Sequence, residues 1–483
     1  MRVKAKLAKN QYAFNKVNET HLMIELEAPK VEWQKDRAPI CLIPVLDLSS
    51  SMYGEKIDYV RKACRKLVDN LAPGDFAGIV GYDNTVHEIA EIREITQSQK
   101  DELKKKISEL HTTGCTNLSG GLSCALKWIN DMKLNENVIL RVILFTDGQA
   151  NVGVTGRNLL DFAKELCGKA SVSTFGFGHD CDQELLADMA NTCGGNFAFI
   201  DSPDAALSAF ARELGGLMST YAQDIKIQIS PDKNNKVLEV LNDEDVADED
   251  GNITVHLRDI LGEEKKWIVA KVRLNVVEKA LPRKFNAFKI NVSYKDKEHA
   301  DQNIDDTVKV VFCKPGDEPS NEDEQVVRQR DMLLASKAQD QAEAFARAGN
   351  YQGAQQTLYA CCASIGDENV KSTLDNISAN YLNNDSYTNG RGMTNSIRTF
   401  MKGKRVSYTS KDAQALCSTM GRQSSTAMDD MESTFKSDTE LTVSPDVIVT
   451  PTVGQVTLNI NTEQLKKLEE QIKAAKKRSG EDW

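Results

Sequence analysis

Asp47, Ser49 and Ser51 occupy alternate positions of one short segment, Asp47-Leu48-Ser49-Ser50-Ser51. Thr116 stands after Thr113-Gly114, and Asp147 stands between Thr146 and Gly148. All five side chains are short and end in oxygen. A hard cation such as Mg²⁺ takes about six oxygens, several of them from water, and leaves room for only a few protein contacts. Short hydroxyls and carboxylates on loops reach such an ion, whereas longer side chains would crowd it. The five residues therefore suit a divalent-metal site, with Mg²⁺ first and Mn²⁺ or Ca²⁺ as alternatives. The same residue types also cap helices and make Asx turns, so spacing alone leaves both uses open.

The elements around these residues decide where they stand. Residues 36–222 alternate short apolar runs with helical patterns. The runs are 40–46, 76–82, 138–145, 172–177 and 197–200. Between them Ile57, Val60, Cys64, Leu67 and Leu71 share one helical face, as do Leu118, Leu122, Ala125 and Ile129. Near-continuous apolar strands separated by helices predict a mostly parallel, doubly wound sheet covered on both faces. Asp47 and Asp147 each end one of its strands. Thr116 directly precedes a helix that starts near Leu118. Ligands of open α/β sheets bind at the carboxyl ends of strands, where all three segments would meet.

The flanking regions follow other periods. Residues 1–35 hold one alternation, Leu22, Ile24 and Leu26, too short to fold alone. Residues 223–315 alternate with period two, as in Ile225, Ile227 and Ile229, or Phe288, Ile290 and Val292. Five or six such strands predict a β-sandwich. The strand near residue 24 would complete it, with the α/β domain inserted in or next to the sandwich. After a Pro/Gly/acidic linker at 314–324, residues 325–403 are helical in pattern. Met332, Leu333, Ala338, Ala342, Phe345 and Ala346 lead to Gly349-Asn350-Tyr351, and a second helix carries Ala354, Leu358 and Cys361. This pair resembles one hairpin of the tetratricopeptide type; no array is evident. Residues 404–445 are predicted to be a flexible arm. Residues 446–483 are predicted to be a strand followed by an amphipathic, lysine-rich helix.

Composition narrows the function classes. The 483 residues predict about two to four domains. A net charge of −11 argues against a general nucleic-acid binder. No apolar run is long enough for a transmembrane helix, and the N-terminus lacks the apolar segment of a signal peptide. The eleven cysteines are odd in number. Cys41, Cys64, Cys124, Cys167 and Cys313 sit in apolar patterns as small hydrophobes. Reduced thiols and a cytoplasmic location are the expectation.

Three ordered motifs extend the five oxygen residues: Pro44-Val45-Leu46-Asp47-Leu48-Ser49-Ser50-Ser51-Met52, Thr113-Gly114-Cys115-Thr116-Asn117-Leu118 and Leu144-Phe145-Thr146-Asp147-Gly148. Phe175-Gly176-Phe177-Gly178, Asp182, Leu185-Leu186 and Gly194-Gly195 follow in order. Residues 36–222 thereby resemble the von Willebrand factor A (VWA) domain, and the chain resembles its intracellular-type members rather than integrins. The resemblance implies a metal-ion-dependent adhesion site, usually holding Mg²⁺. Ser49, Ser51 and Thr116 would be direct or near-direct ligands, and Asp47 and Asp147 would act directly or through water. A protein partner's Asp or Glu carboxylate would fill the open coordination position.

No enzyme is expected. The sequence has no P-loop, no GxSxG and no CxxC pair. His111 is placed at the end of a helix rather than as a base. His179, Cys181 and Cys193 are too loosely spaced for a zinc site. The alternatives to a metal-dependent scaffold are a structural subunit of a large intracellular assembly, or an adaptor for an AAA-type ATPase or the ubiquitin pathway.

Overall fold

A computed structural model describes residues 1–403 except 15, 32–37, 133, 135–137, 149, 169, 179–180, 201–202, 233–234, 276–283, 297 and 299. The described residues belong to one compact unit, Met1–Phe435. The arm and the strand-plus-helix expected at 404–483 lie outside them, as does His179.

The chain opens with strands β1 (Arg2–Leu7), β2 (Gln11–Ala13) and β3 (Asn18–Glu27). Sequence alternation had exposed only the last of these. Alternation also misjudged its faces: Met23 and Glu25, between the inward Leu22, Ile24 and Leu26, are buried too.

The α/β domain follows as β4 (Ile40–Asp47), α1 (Glu55–Asn70), β5 (Phe76–Tyr82), β6 (Val86–Glu94), α2 (Gln97–Ser108), α3 (Leu118–Asp131), β7 (Ile139–Thr146), α4 (Asn158–Cys167), β8 (Ser171–Phe177), α5 (Gln183–Thr192), β9 (Gly194–Ile200) and α6 (Pro203–Met218). Its sheet runs β6-β5-β4-β7-β8-β9. All neighbours are parallel except the edge strand β6. One face packs Ile57, Val60 and Leu67 of α1, Leu103 of α2 and Phe210 of α6. The other packs Leu122 and Ala125 of α3, Leu159 of α4 and Leu186 of α5. The central strands are mostly apolar because both faces are covered, and the exceptions, Arg141 of β7 and Ser173 and Thr174 of β8, are enclosed as well. Under the carboxyl end of β7, Phe145 stacks on Phe175 at 5.5 Å and lies 5.2 Å from Phe210. Each such ring pair adds about 1 kcal/mol beyond its burial.

The chain then forms β10 (Thr220–Pro231), β11 (Lys236–Val240), β12 (Asp245–Glu249), β13 (Asn252–Leu261), β14 (Lys265–Leu274), β15 (Lys284–Lys295) and β16 (Asp301–Cys313). They complete two sheets, β1-β3-β14-β11 and β12-β13-β10-β15-β16-β2. Leu22, Ile24 and Ile268 from the first share one core with Ile227, Val255, Phe288 and Val310 from the second. The pairing is antiparallel except between β16 and β2.

Four helices close the described chain: α7 (Glu324–Arg347), α8 (Tyr351–Ser364), α9 (Glu368–Ser378) and α10 (Asn384–Met401). The hairpin of α7 and α8 is thus half of a larger unit. Met332, Leu358, Leu374 and Ile397 meet in one core. Helix α7 lays Val326 and Leu333 on Met23 and Val269, which explains the second buried face of β3. Phe345, placed by pattern in the helix core, is 42% exposed instead. Helix α10 is rich in Asn, Ser and Thr and carries Gly390 and Gly392, a poor helix former by propensity. A Cβ on Gly390 would lie 2.2 Å from the Asn380 side chain, so this glycine permits a close packing that outweighs its helix penalty.

Candidate metal centre

β4 and β7 are neighbours in the sheet, yet the chain leaves them toward opposite faces, into α1 and α4. That divergence opens a crevice at their carboxyl ends. Asp47 is the last residue of β4, and Asp147 follows the last residue of β7. Gly54, at φ 87°, turns the chain so that α1 starts directly after the serine loop.

Backbone hydrogen bonds knit the three loops. Thr113 N donates to Leu48 O at 2.7 Å, and Ser50 N donates to Gly114 O at 3.2 Å. Asn151 N donates to Thr116 O at 3.1 Å, and Thr116 N donates to Asn151 Oδ1 at 2.9 Å. Cys115 N donates to Asn84 Oδ1 at 2.7 Å. Asn117 caps α3 by accepting from Gly120 N at 3.1 Å. Thr116 itself is therefore no cap, and its hydroxyl is left to the crevice.

The side chains connect as well. Asp47 Oδ1 accepts from Ser49 N at 2.9 Å, and Asp47 Oδ2 accepts from Thr146 Oγ1 at 2.7 Å. Ser49 Oγ and Ser51 Oγ are 3.0 Å apart. Ser51 Oγ donates to Asp147 Oδ1 at 2.8 Å, and Lys56 Nζ pairs with Asp147 Oδ2. A Cβ on Gly148 would lie 3.6 Å from Thr116 Oγ1 and 3.8 Å from Ser51 Oγ. Glycine keeps that space clear, and hydroxyls of two distant segments border it. All five candidates are thus brought to one place. Asp47, Ser49, Thr116 and Asp147 are buried, while Ser51 is exposed at the mouth. Burial raises the Asp47 carboxyl to about 6, against the pull of its hydrogen bonds from Ser49 and Thr146.

The donors fit a hard divalent cation: two carboxylates and three hydroxyls, with oxygen as the only donor type. Among the described residues no three His, Cys, Asp or Glu side chains gather as a metal site. A hydroxyl-rich set is a different chemistry from such a cluster. Cys181 and Cys193 are buried, whereas Cys124, expected inside, is only half-buried. His111 lies beyond the end of α2.

Three partners escaped the sequence reading. Thr146 orients Asp47, Asn151 holds the Thr116 backbone, and Lys56 pairs with Asp147. Thr146 had a signal, since it adjoins Asp147. Lys56 sits five residues beyond Ser51 and resembles any exposed lysine of an amphipathic helix.

Residues 42–213 match the sequence model of the von Willebrand factor type A domain. The α/β domain is a VWA domain. A von Willebrand factor type A protein from Catenulispora acidiphila has the same fold with a TM-score of 0.64 at 16% identity, covering 87% of this chain and 96% of that one. Protein sll0103 of Synechocystis is 24% identical over 346 residues, 68% of this chain and 80% of its own. The E3 ubiquitin-protein ligase WAV3 of Arabidopsis thaliana is 22% identical over 342 residues; the match spans 68% of this chain but 43% of WAV3. No helix among the described residues is long and apolar enough to cross a membrane.

Proposed function

We propose that this protein is a metal-dependent protein-binding scaffold rather than an enzyme. Mg²⁺ would be held by Ser49, Ser51 and Thr116, with Asp47 and Asp147 acting directly or through water. The ion supplies a localised double charge at a mouth open to solvent. An Asp or Glu carboxylate of a partner then completes its shell, and the flanking loops select the partner's shape. The observation that carries this reading is the convergence of three segments on one space: Thr116 Oγ1 and Ser51 Oγ border the clearing at Gly148, and Ser51 reaches Asp147. The VWA domain, a protein-interaction fold, supports it.

The domain is read as an insertion in a β-sandwich. Support comes from β3 and β10, which flank the domain in sequence and belong to two sheets with a common core. The hydrophobe-like settings of Cys41, Cys64 and Cys313 support reduced thiols and a cytoplasmic protein. A second reading, an adaptor in a ubiquitin pathway, draws on the name of the WAV3 relative.

Cross-linking in cell extract with Mg²⁺ or with chelator, using wild type and Asp47→Ala, tests the proposal. The expected result is a partner captured only by wild type with Mg²⁺. Capture of the same partner by both proteins, regardless of chelator, would sink it.

A further inference from the structure

We propose that Lys56 is a built-in counter-cation that competes with the metal for Asp147. This rests on the metal-site reading above. Lys56 is the second residue of α1, and its Nζ pairs with Asp147 Oδ2. The Asp147 side chain is 0% exposed, and that of Lys56 is 33% exposed. The lysine thus reaches from the solvent rim to an enclosed carboxylate. It passes the end of β8, where its Cε and Nζ atoms lie 3.9 Å from the place a Cβ on Gly178 would take, an ordinary van der Waals separation. Ser51 Oγ engages the other carboxylate oxygen at 2.8 Å. Asp147 is therefore satisfied on both oxygens by the chain itself.

A buried carboxylate stripped of water is costly without a counter-charge. Lys56 supplies that charge when no metal is bound. A divalent ion at the serine and threonine hydroxyls would face this ammonium at short range, and the two cations repel. Each weakens the other's hold on Asp147, and the weakening is reciprocal. A carboxylate arriving from outside adds negative charge and relieves the repulsion. Lys56 thereby makes metal binding alone weak and joint binding of metal and acidic ligand stronger. A lysine suits this role because its ammonium is a point charge on a flexible stem that swings aside.

The test is a titration of the full-length protein with Mn²⁺ alone, read by the paramagnetic resonance signal of free Mn²⁺, alongside thermal unfolding in chelator. The proteins are wild type, Lys56→Met, Lys56→Gln and Lys56→Arg. The two neutral variants are expected to bind Mn²⁺ on the order of tenfold more tightly than wild type. They are also expected to unfold at lower temperature in chelator, and Lys56→Arg to stay close to wild type in affinity. Unchanged or weaker Mn²⁺ binding by both neutral variants overturns the role of Lys56 alone, because wild type still binds. Absence of Mn²⁺ binding in all four proteins overturns the metal reading as well.

Discussion

Two groups of buried carboxylates in this molecule are handled in opposite ways. Between the VWA domain and the helical unit, Glu184 of α5 and Glu343 of α7 meet three arginines. Arg347 pairs with Glu184 and lies 3.7 Å from Glu343. Arg391 lies 3.7 Å from Glu184 and 3.6 Å from Glu343. Arg157 reaches Glu184 at 3.3 Å, and the Tyr381 and Tyr387 hydroxyls donate to Glu343. At the crevice, Asp47 and Asp147 meet hydroxyls and a single lysine. Three permanently charged guanidiniums neutralise the two carboxylates, and two phenol hydroxyls hold the Glu343 oxygens. Hydroxyls both donate and accept, so the crevice donors are able to turn their oxygens to a cation. The first cluster joins two regions; the second is the one proposed above to hold a cation.

Substitutions should separate the two clusters by size and kind of effect. Glu343→Ala leaves two phenols without their acceptor and removes one of the two carboxylates that face Arg347 and Arg391, and is expected to lower stability by about 3 kcal/mol in urea unfolding. A loss no larger than that of Asp147→Ala would erase the contrast. Saturating Mg²⁺, at about 100 times the dissociation constant, should raise wild-type stability by about 2.7 kcal/mol. The same addition should do nothing for Asp47→Ala; an equal gain there would place the ion elsewhere. Gly121→Ala tests the packing of α3 on β5, because its Cβ would lie 2.4 Å from the Tyr82 ring. The clash is expected to cost about 2 kcal/mol in thermal unfolding. Asp147→Ala frees Lys56 to solvent and removes one acceptor from Ser51, so about 1 kcal/mol is expected in urea. Arg157, with a side chain 61% exposed, marks the rim of the arginine cluster. Arg157→Ala should change stability by about 0.5 kcal/mol or less, and by less still in high salt.

How much of this could be seen in the amino-acid order depends on the element. The runs that became β4, β5, β7 and β8 are buried on both faces, so they were largely apolar and visible, although Arg141 interrupts β7 and Ser173 and Thr174 interrupt β8. Asp47 and Asp147 stood out because each ends such a run. Strand β6 was hidden because it is an edge strand with charged residues, such as Glu88 and Glu91, facing solvent. Helix α2 buries only Gln99, Leu103 and Ile107, too few for a clear stripe. Helix α10 gains from close packing at Gly390, which local propensity opposes. In the site, loop positions were legible but partnerships were not. Lys56 meets Asp147 across 91 residues of sequence, and only the fold of the sheet brings them together.

Thr116 offers the sharpest test, because it reaches the crevice from the segment between α2 and α3 and caps no helix. Calorimetric titration with Mg²⁺ should compare wild type with Thr116→Val, which keeps the shape and removes the hydroxyl. One site per chain in wild type, lost or strongly weakened in the variant, is the expected result. Equal Mg²⁺ binding by the two proteins, or none by wild type, would contradict a metal centre built from Asp47, Ser49, Ser51, Thr116 and Asp147.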